Sequence, residues 1–208
     1  MRILLISSNS SSRGGGEYFL DFLSRAFKVF YKKNLFALYS QKNYMDQLVK
    51  RVNKNCSKVY RINYKELSLR KLRFLSSIFD INQITSIFAE LKKINPNIII
   101  INQQYDEDAL EILLSATIYK IFTNNHFIRV ACIMHMPRIK NKLYNQPFGF
   151  IRYFLLLFIY GLLKPKFLLT SKECLNEFKR FYFFNKKNAF LMKSPLPILK
   201  KDVSKKYS

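Results

Sequence analysis

The chain has 208 residues, 49% of them hydrophobic, which excludes a disordered chain and suits one sizeable α/β domain with its own core. Its formal charge is +23, from 36 Lys and Arg against 13 Asp and Glu, and this favours an anionic partner: nucleotide phosphate, acidic glycan, anionic lipid or nucleic acid. The same charge is also what a composition biased toward Lys, Asn, Ile, Phe and Tyr would produce. Cys56, Cys132 and Cys174 are far apart and odd in number. They form neither a disulfide framework nor a metal-ligand spacing, and they fit a reducing cytoplasm.

Arg2 to Ser7 is a short apolar run, too short for a signal-peptide core, and it reads as a buried strand. Ser8 to Gly16 is small and polar apart from Arg13 and ends in Gly14-Gly15-Gly16. From Glu17 onward, Phe19, Phe22, Leu23, Ala26, Phe27 and Phe30 fall at helical spacing. This order predicts a helix N-terminus at the carboxyl edge of a strand, with backbone N–H groups facing a ligand and a dipole that favours negative charge. Glycines there permit close backbone approach. The pattern is not the G-x-G-x-x-G fingerprint, so a nicotinamide cofactor is not expected. Glu17 suits the positive end of the helix.

Leu35–Tyr39 reads as the second strand, Gln41–Asn55 as a polar stretch of weak helical pattern, Val59–Ile62 as a third strand and Tyr64–Phe74 as a basic surface segment. Ile81, Ile84, Phe88 and Leu91 mark a helix that stops before Asn95-Pro96. Four isoleucines, Ile98 to Ile101, predict a central parallel strand buried on both faces. Asp106–Phe122 follows as a helix lined by Leu110, Leu113, Leu114, Thr117, Ile118 and Ile121. Arg129–Met134 is the next strand, then a basic loop from His135 to Pro147 and the very apolar stretch Phe148–Leu163. Lys166–Leu169 is a short strand. Ser171 caps a helix carrying Leu175, Phe178, Phe181 and Tyr182, and Ala189–Met192 is a last strand. Alternating strands and helices without an internal repeat predict a doubly wound, mostly parallel Rossmann-like sheet with helices on both faces. The expected domain is 1–199, with a frayed basic tail at 200–208.

Several of these segments, taken in order, resemble one family. They are the strand with its Gly-Gly-Gly-Glu loop and helix, the Asn95-Pro96-Asn97-Ile98-Ile99 lead into a middle strand ending in Asn102-Gln103-Gln104, the strand ending at His135, the apolar helix, and Phe167-Leu168-Leu169-Thr170-Ser171-Lys172 before another helix. Together they resemble the N-terminal, acceptor-side half of GT-B-fold glycosyltransferases of the retaining, nucleotide-sugar-dependent group (family-4-like). The resemblance runs from Met1 to Pro197 and rests on order and spacing. It implies that Gly14, Gly15 and Gly16, followed by Glu17, line a cleft near the donor diphosphate and the acceptor. It implies His135 as the catalytic-site imidazole facing the reacting sugar, Asn102 and Gln103 at the cleft edge, and Ser171 as the start of the helix after the last cleft strand. The nucleotide-sugar is then a donor substrate and no cofactor is expected. The acceptor is a glycan or lipid-linked glycan. In that family a second Rossmann-like domain holds the donor and supplies an E-x7-E pair. No two glutamates of this chain have that spacing, so the resemblance implies a half that needs a donor-binding domain in trans and is inactive alone.

Other readings weigh against this one. Asp106-Glu107-Asp108 has the outline of a D-x-D metal motif, but Asp108 with Glu111 is read as a capping box, and no metal site is expected. His126, in an Asn124-Asn125-His126 turn, reads as an exposed side chain. Phe148–Leu163 is short for a bilayer span. It reads as a core helix, or as a helix docking at the inner face of an anionic membrane with help from Lys140, Lys142, Lys164 and Lys166. A basic nucleic-acid-binding domain without catalysis is the main rival, yet no recognised nucleic-acid signature is present. A doubly wound signalling domain would want acids at the strand ends, where the first strand has serines.

Overall fold

The computed structural model describes residues 1–7, 15–39, 46–62, 78–103, 109–123, 128–135 and 148–192. Within them, seven strands pair in parallel: β1 (Ile3–Ser7), β2 (Leu35–Tyr39), β3 (Lys58–Arg61), β4 (Ile98–Gln103), β5 (Arg129–Met134), β6 (Lys166–Leu169) and β7 (Ala189–Leu191). Their spatial order is β3-β2-β1-β4-β5-β6-β7. The helices are α1 (Gly15–Tyr31), α2 (Asp46–Asn53), α3 (Ile81–Ile94), α4 (Leu110–Phe122), α5 (Gly149–Leu163) and α6 (Lys172–Phe181). Strand order reverses between β1 and β4, so this is the expected doubly wound α/β sheet. Right-handed crossovers then send the connections of β1–β3 over one face and those of β4–β7 over the other.

The isoleucine run sits at the centre, with β4 between β1 and β5. Ile99 and Ile101 join Leu4 and Ile6 in the core under α3–α6, while Ile98 and Ile100 join Ile3 and Leu5 in the core under α1 and α2. A strand covered on both faces has no place for alternating polarity, which is why this one is apolar through its isoleucines. Its start is pinned by Asn97: Oδ1 accepts from the Arg2 N–H at 2.8 Å, and the Asn97 N–H donates to the Arg2 carbonyl at 3.0 Å. The Asn-Pro stop signal acts as predicted. Asn95 takes the left-handed conformation (φ 48°), its N–H closes on the Leu91 carbonyl at 2.8 Å, and Tyr119 Oη donates to its side-chain oxygen at 2.8 Å.

Two predicted helix faces need correction. In α1 the core takes Leu20 with half-buried Leu23 and Phe27, whereas Phe22 is 36% and Phe30 78% exposed. Leu20 falls in the inward row, while Asp21 and Ser24 turn toward α2: Ser24 Oγ accepts from Asn55 Nδ2 at 2.9 Å, and Asp21 also binds Arg25. In α4 the helix begins at Leu110, and Ile121 is 63% exposed while Ile112, Ser115, Ala116 and Tyr119 are buried. Packing between α3 and α5 buries a broad band of α4 rather than the single stripe read from spacing. At the far end of the sheet an aromatic cluster closes the core. Phe178 lies 4.4 Å from Phe167 and 4.8 Å from Tyr182 between ring centroids, and Tyr160 meets Phe167 edge-on at 4.8 Å. Burial of each such ring stabilises the fold by roughly 1.5–3 kcal/mol.

Candidate functional site

All strands run the same way, so Ser7, Gln103, Met134 and Leu169 end β1, β4, β5 and β6 on one carboxyl edge. Ser7 is in register with Asn102, and Gln103 with Met134. Alternation assigns Asn102 to the α1 face, with Ile98 and Ile100, and Gln103 to the opposite face, with Ile99 and Ile101. The two β4 residues expected at the cleft edge therefore separate across the sheet.

His135 follows β5 directly and turns to the α1 face. Its Nε2 donates to Asn102 Oδ1 at 2.9 Å. The ring of Phe19, the fifth residue of α1, meets the imidazole edge-on at 5.3 Å between centroids. The imidazole thus lies beside the first turns of α1, at the carboxyl edge of β4 and β5. The His135 backbone is held as firmly as its ring. Its N–H donates to the Gln103 carbonyl at 3.3 Å, and its carbonyl accepts from Thr170 Oγ1 at 3.2 Å and Cys174 Sγ at 3.2 Å. Burial pushes the His135 pKa below its ordinary value, so the ring is neutral at pH 7. With the proton on Nε2, Nδ1 keeps its lone pair and has no hydrogen-bond partner among the described residues. Such a nitrogen accepts a hydrogen bond from a hydroxyl.

Ser171 is the N-cap of α6, its Oγ accepting from the Cys174 N–H at 3.1 Å, so its hydroxyl serves the helix end beside His135. Gly15 and Gly16 are the first two residues of α1, not part of a loop, and Glu17 is the third. No described glycine has positive φ, so what these glycines provide is the absence of a side chain at a helix N-terminus. Gly14 lies outside the described residues. Gln103 is 1% exposed, and neither atom of its amide has a hydrogen-bond partner among the described residues. A buried amide left so costs about 1–3 kcal/mol. Phe19, Thr170 and Cys174 are the site residues that sequence reading missed. Cys174 had a signal, lying three residues after the Ser171 cap.

Asp106-Glu107-Asp108, His126, Lys140, Lys142 and the 199/200 boundary lie outside the described residues. Among the described residues no three His, Cys, Asp or Glu side chains cluster as metal ligands. The Glu111 carboxylate accepts from the Asp80 N–H at 3.4 Å, and burial raises its pKa; Asp108, its expected box partner, lies outside the described residues. Burial pushes the Cys56 thiol up to about 12 and raises Cys132 too, so neither is a thiolate nucleophile at neutral pH.

No protein-family model matches the chain, and no curated protein sequence matches it. Solved structures do. A crystal structure of Anabaena HepE in complex with UDP superposes with a TM-score of 0.55 at 12% identity, covering 92% of this chain and 43% of HepE. HepE with UDP and glucose gives 0.53 at 10% identity, covering 92% and 44%. This chain shares the Rossmann-type α/β fold of that part of HepE. It spans less than half of the HepE chain.

Proposed function

We propose that this domain is the acceptor-side half of a GT-B glycosyltransferase of the retaining, nucleotide-sugar-dependent group, and that a donor-binding half completes it. The complete enzyme transfers a sugar from a nucleotide-sugar to a hydroxyl of a glycan or lipid-linked glycan. The observation that carries this reading is the His135–Asn102 pair beside the start of α1, at the reversal of strand order, in a fold shared with a protein crystallised with UDP and glucose. His135 Nδ1 accepts a hydrogen bond from a sugar hydroxyl. Backbone N–H groups at the N-terminus of α1 stabilise negative charge on the departing diphosphate. The nucleotide-sugar is a substrate, and the reading calls for no resident cofactor. Alone, the domain binds without transferring, because the donor contacts belong to the other half.

Titration of the isotope-labelled domain with oligosaccharides, UDP and UDP-glucose tests this. Oligosaccharide is expected to shift the resonances of His135, Asn102 and the first turn of α1. His135→Ala should weaken binding about tenfold, the size of one lost hydrogen bond, and Gly15→Val should weaken it by placing a side chain at the N-terminus of α1. Shifts elsewhere on the surface, indifference to His135→Ala, or preference for DNA over sugars at this edge would overturn the reading.

A further inference from the structure

Helix α5 has fifteen residues, and its sole charged one is Arg152. Its inner side is core: Leu156, Ile159, Tyr160 and Leu163 are buried. Its outer side is not polar. Phe150, Phe154 and Phe158 recur every fourth position and are 61%, 54% and 64% exposed, flanked by exposed Ile151 and Leu162. Phe150 and Phe154 meet edge-on at 4.9 Å. Near the helix C-terminus Lys120 Nζ, on α4, donates to the Leu162 carbonyl at 3.5 Å. Isolated exposed apolar side chains are ordinary, but a contiguous aromatic ridge is not. Exposed Lys164 follows at its end.

We infer that α5 docks this domain on an anionic lipid surface, with Phe150, Phe154 and Phe158 among the acyl chains and Lys164 against lipid phosphates. A helix of this length covers about 22 Å, short of a bilayer span. No described helix is long and apolar enough to cross a membrane, so α5 lies along the interface. Charge selects the occupant. At +23, two copies placed ridge to ridge repel, whereas an anionic bilayer attracts. The helix runs from the carboxyl edge of the sheet toward its amino edge, so a domain facing His135 at the carboxyl edge leaves most of the ridge uncovered. The inference stands apart from sugar transfer.

Flotation of the full chain with vesicles is the test. The protein should bind phosphatidylcholine vesicles containing half phosphatidylglycerol, bind pure phosphatidylcholine far less, and release at high salt. Phe150→Ser/Phe154→Ser/Phe158→Ser should lower the bound fraction about tenfold with unchanged circular dichroism, and Lys164→Glu should lower it too. The chain has no tryptophan, so Phe154→Trp gives a single reporter whose emission should shift to the blue only with anionic vesicles. Absence of vesicle binding, equal binding by the triple variant, an indole emission that anionic vesicles leave unmoved, or a solution dimer dissolved by the triple variant would each overturn the inference.

Discussion

His135 and Asn102, 33 positions apart, are joined by one 2.9 Å hydrogen bond that decides which imidazole nitrogen carries the proton. Asn102 comes from β4 and His135 from the residue after β5, so pairing of these strands sets the geometry. Asn102→Ala should release the ring to populate both tautomers, read by long-range nitrogen–proton correlation spectra. Retention of a single Nε2–H tautomer in that variant would refute the assignment.

The same ring predicts a pH dependence. Its pKa in the folded chain lies below 6.5 because burial disfavours the charged form. The unfolded chain therefore takes up the proton first. The stability contribution is complete above about pH 6.5 and is lost as pH falls through the lower folded value. Oligosaccharide affinity should fall in the same range, since protonation consumes the Nδ1 lone pair. His135→Gln should flatten both profiles, checked by urea titration and by binding between about pH 5 and 8.

Glu111 runs the opposite way. Burial raises its folded pKa, so its contribution is complete below the ordinary value of 4.5 and lost as pH rises through the raised one. Glu111→Gln retains an acceptor for the Asp80 N–H and removes the buried charge. It should melt at or above the wild-type temperature at pH 7 and together with it near pH 4. A clear loss at pH 7 would show that attraction to Arg152 outweighs burial.

Gly161 lies inside α5, exposed, and a Cβ there meets nothing within 4 Å. Gly161→Ala should stabilise the fold by about 0.5–1 kcal/mol through the unfolded chain. Denaturant midpoints check it, and destabilisation would count against a regular helix at this point.

Phe178 is fully buried between Phe167 and Tyr182. Phe178→Ala should cost about 3–5 kcal/mol, while Phe158→Ala on the exposed ridge should change stability by no more than about 0.5 kcal/mol. Comparable losses for both would show that the ridge is packed in solution.

From residue order alone one reads the central place of Ile98–Ile101, the stop at Asn95-Pro96, the Ser171 cap and the parallel, doubly wound sheet. Each is local, or follows from burial on two faces and the handedness of crossovers. Tertiary structure decided the rest. Helical period marks Phe19, Phe22 and Phe30 as neighbours along α1, yet whether a neighbour is core, site or surface depends on what covers that side. Alternation sends Asn102 and Gln103 to opposite faces, but strand register determined that Asn102 meets His135 and that Gln103 is buried with no partner among the described residues. The apolar residues of α5 look alike in sequence, and only packing against the sheet separates the buried row from the ridge.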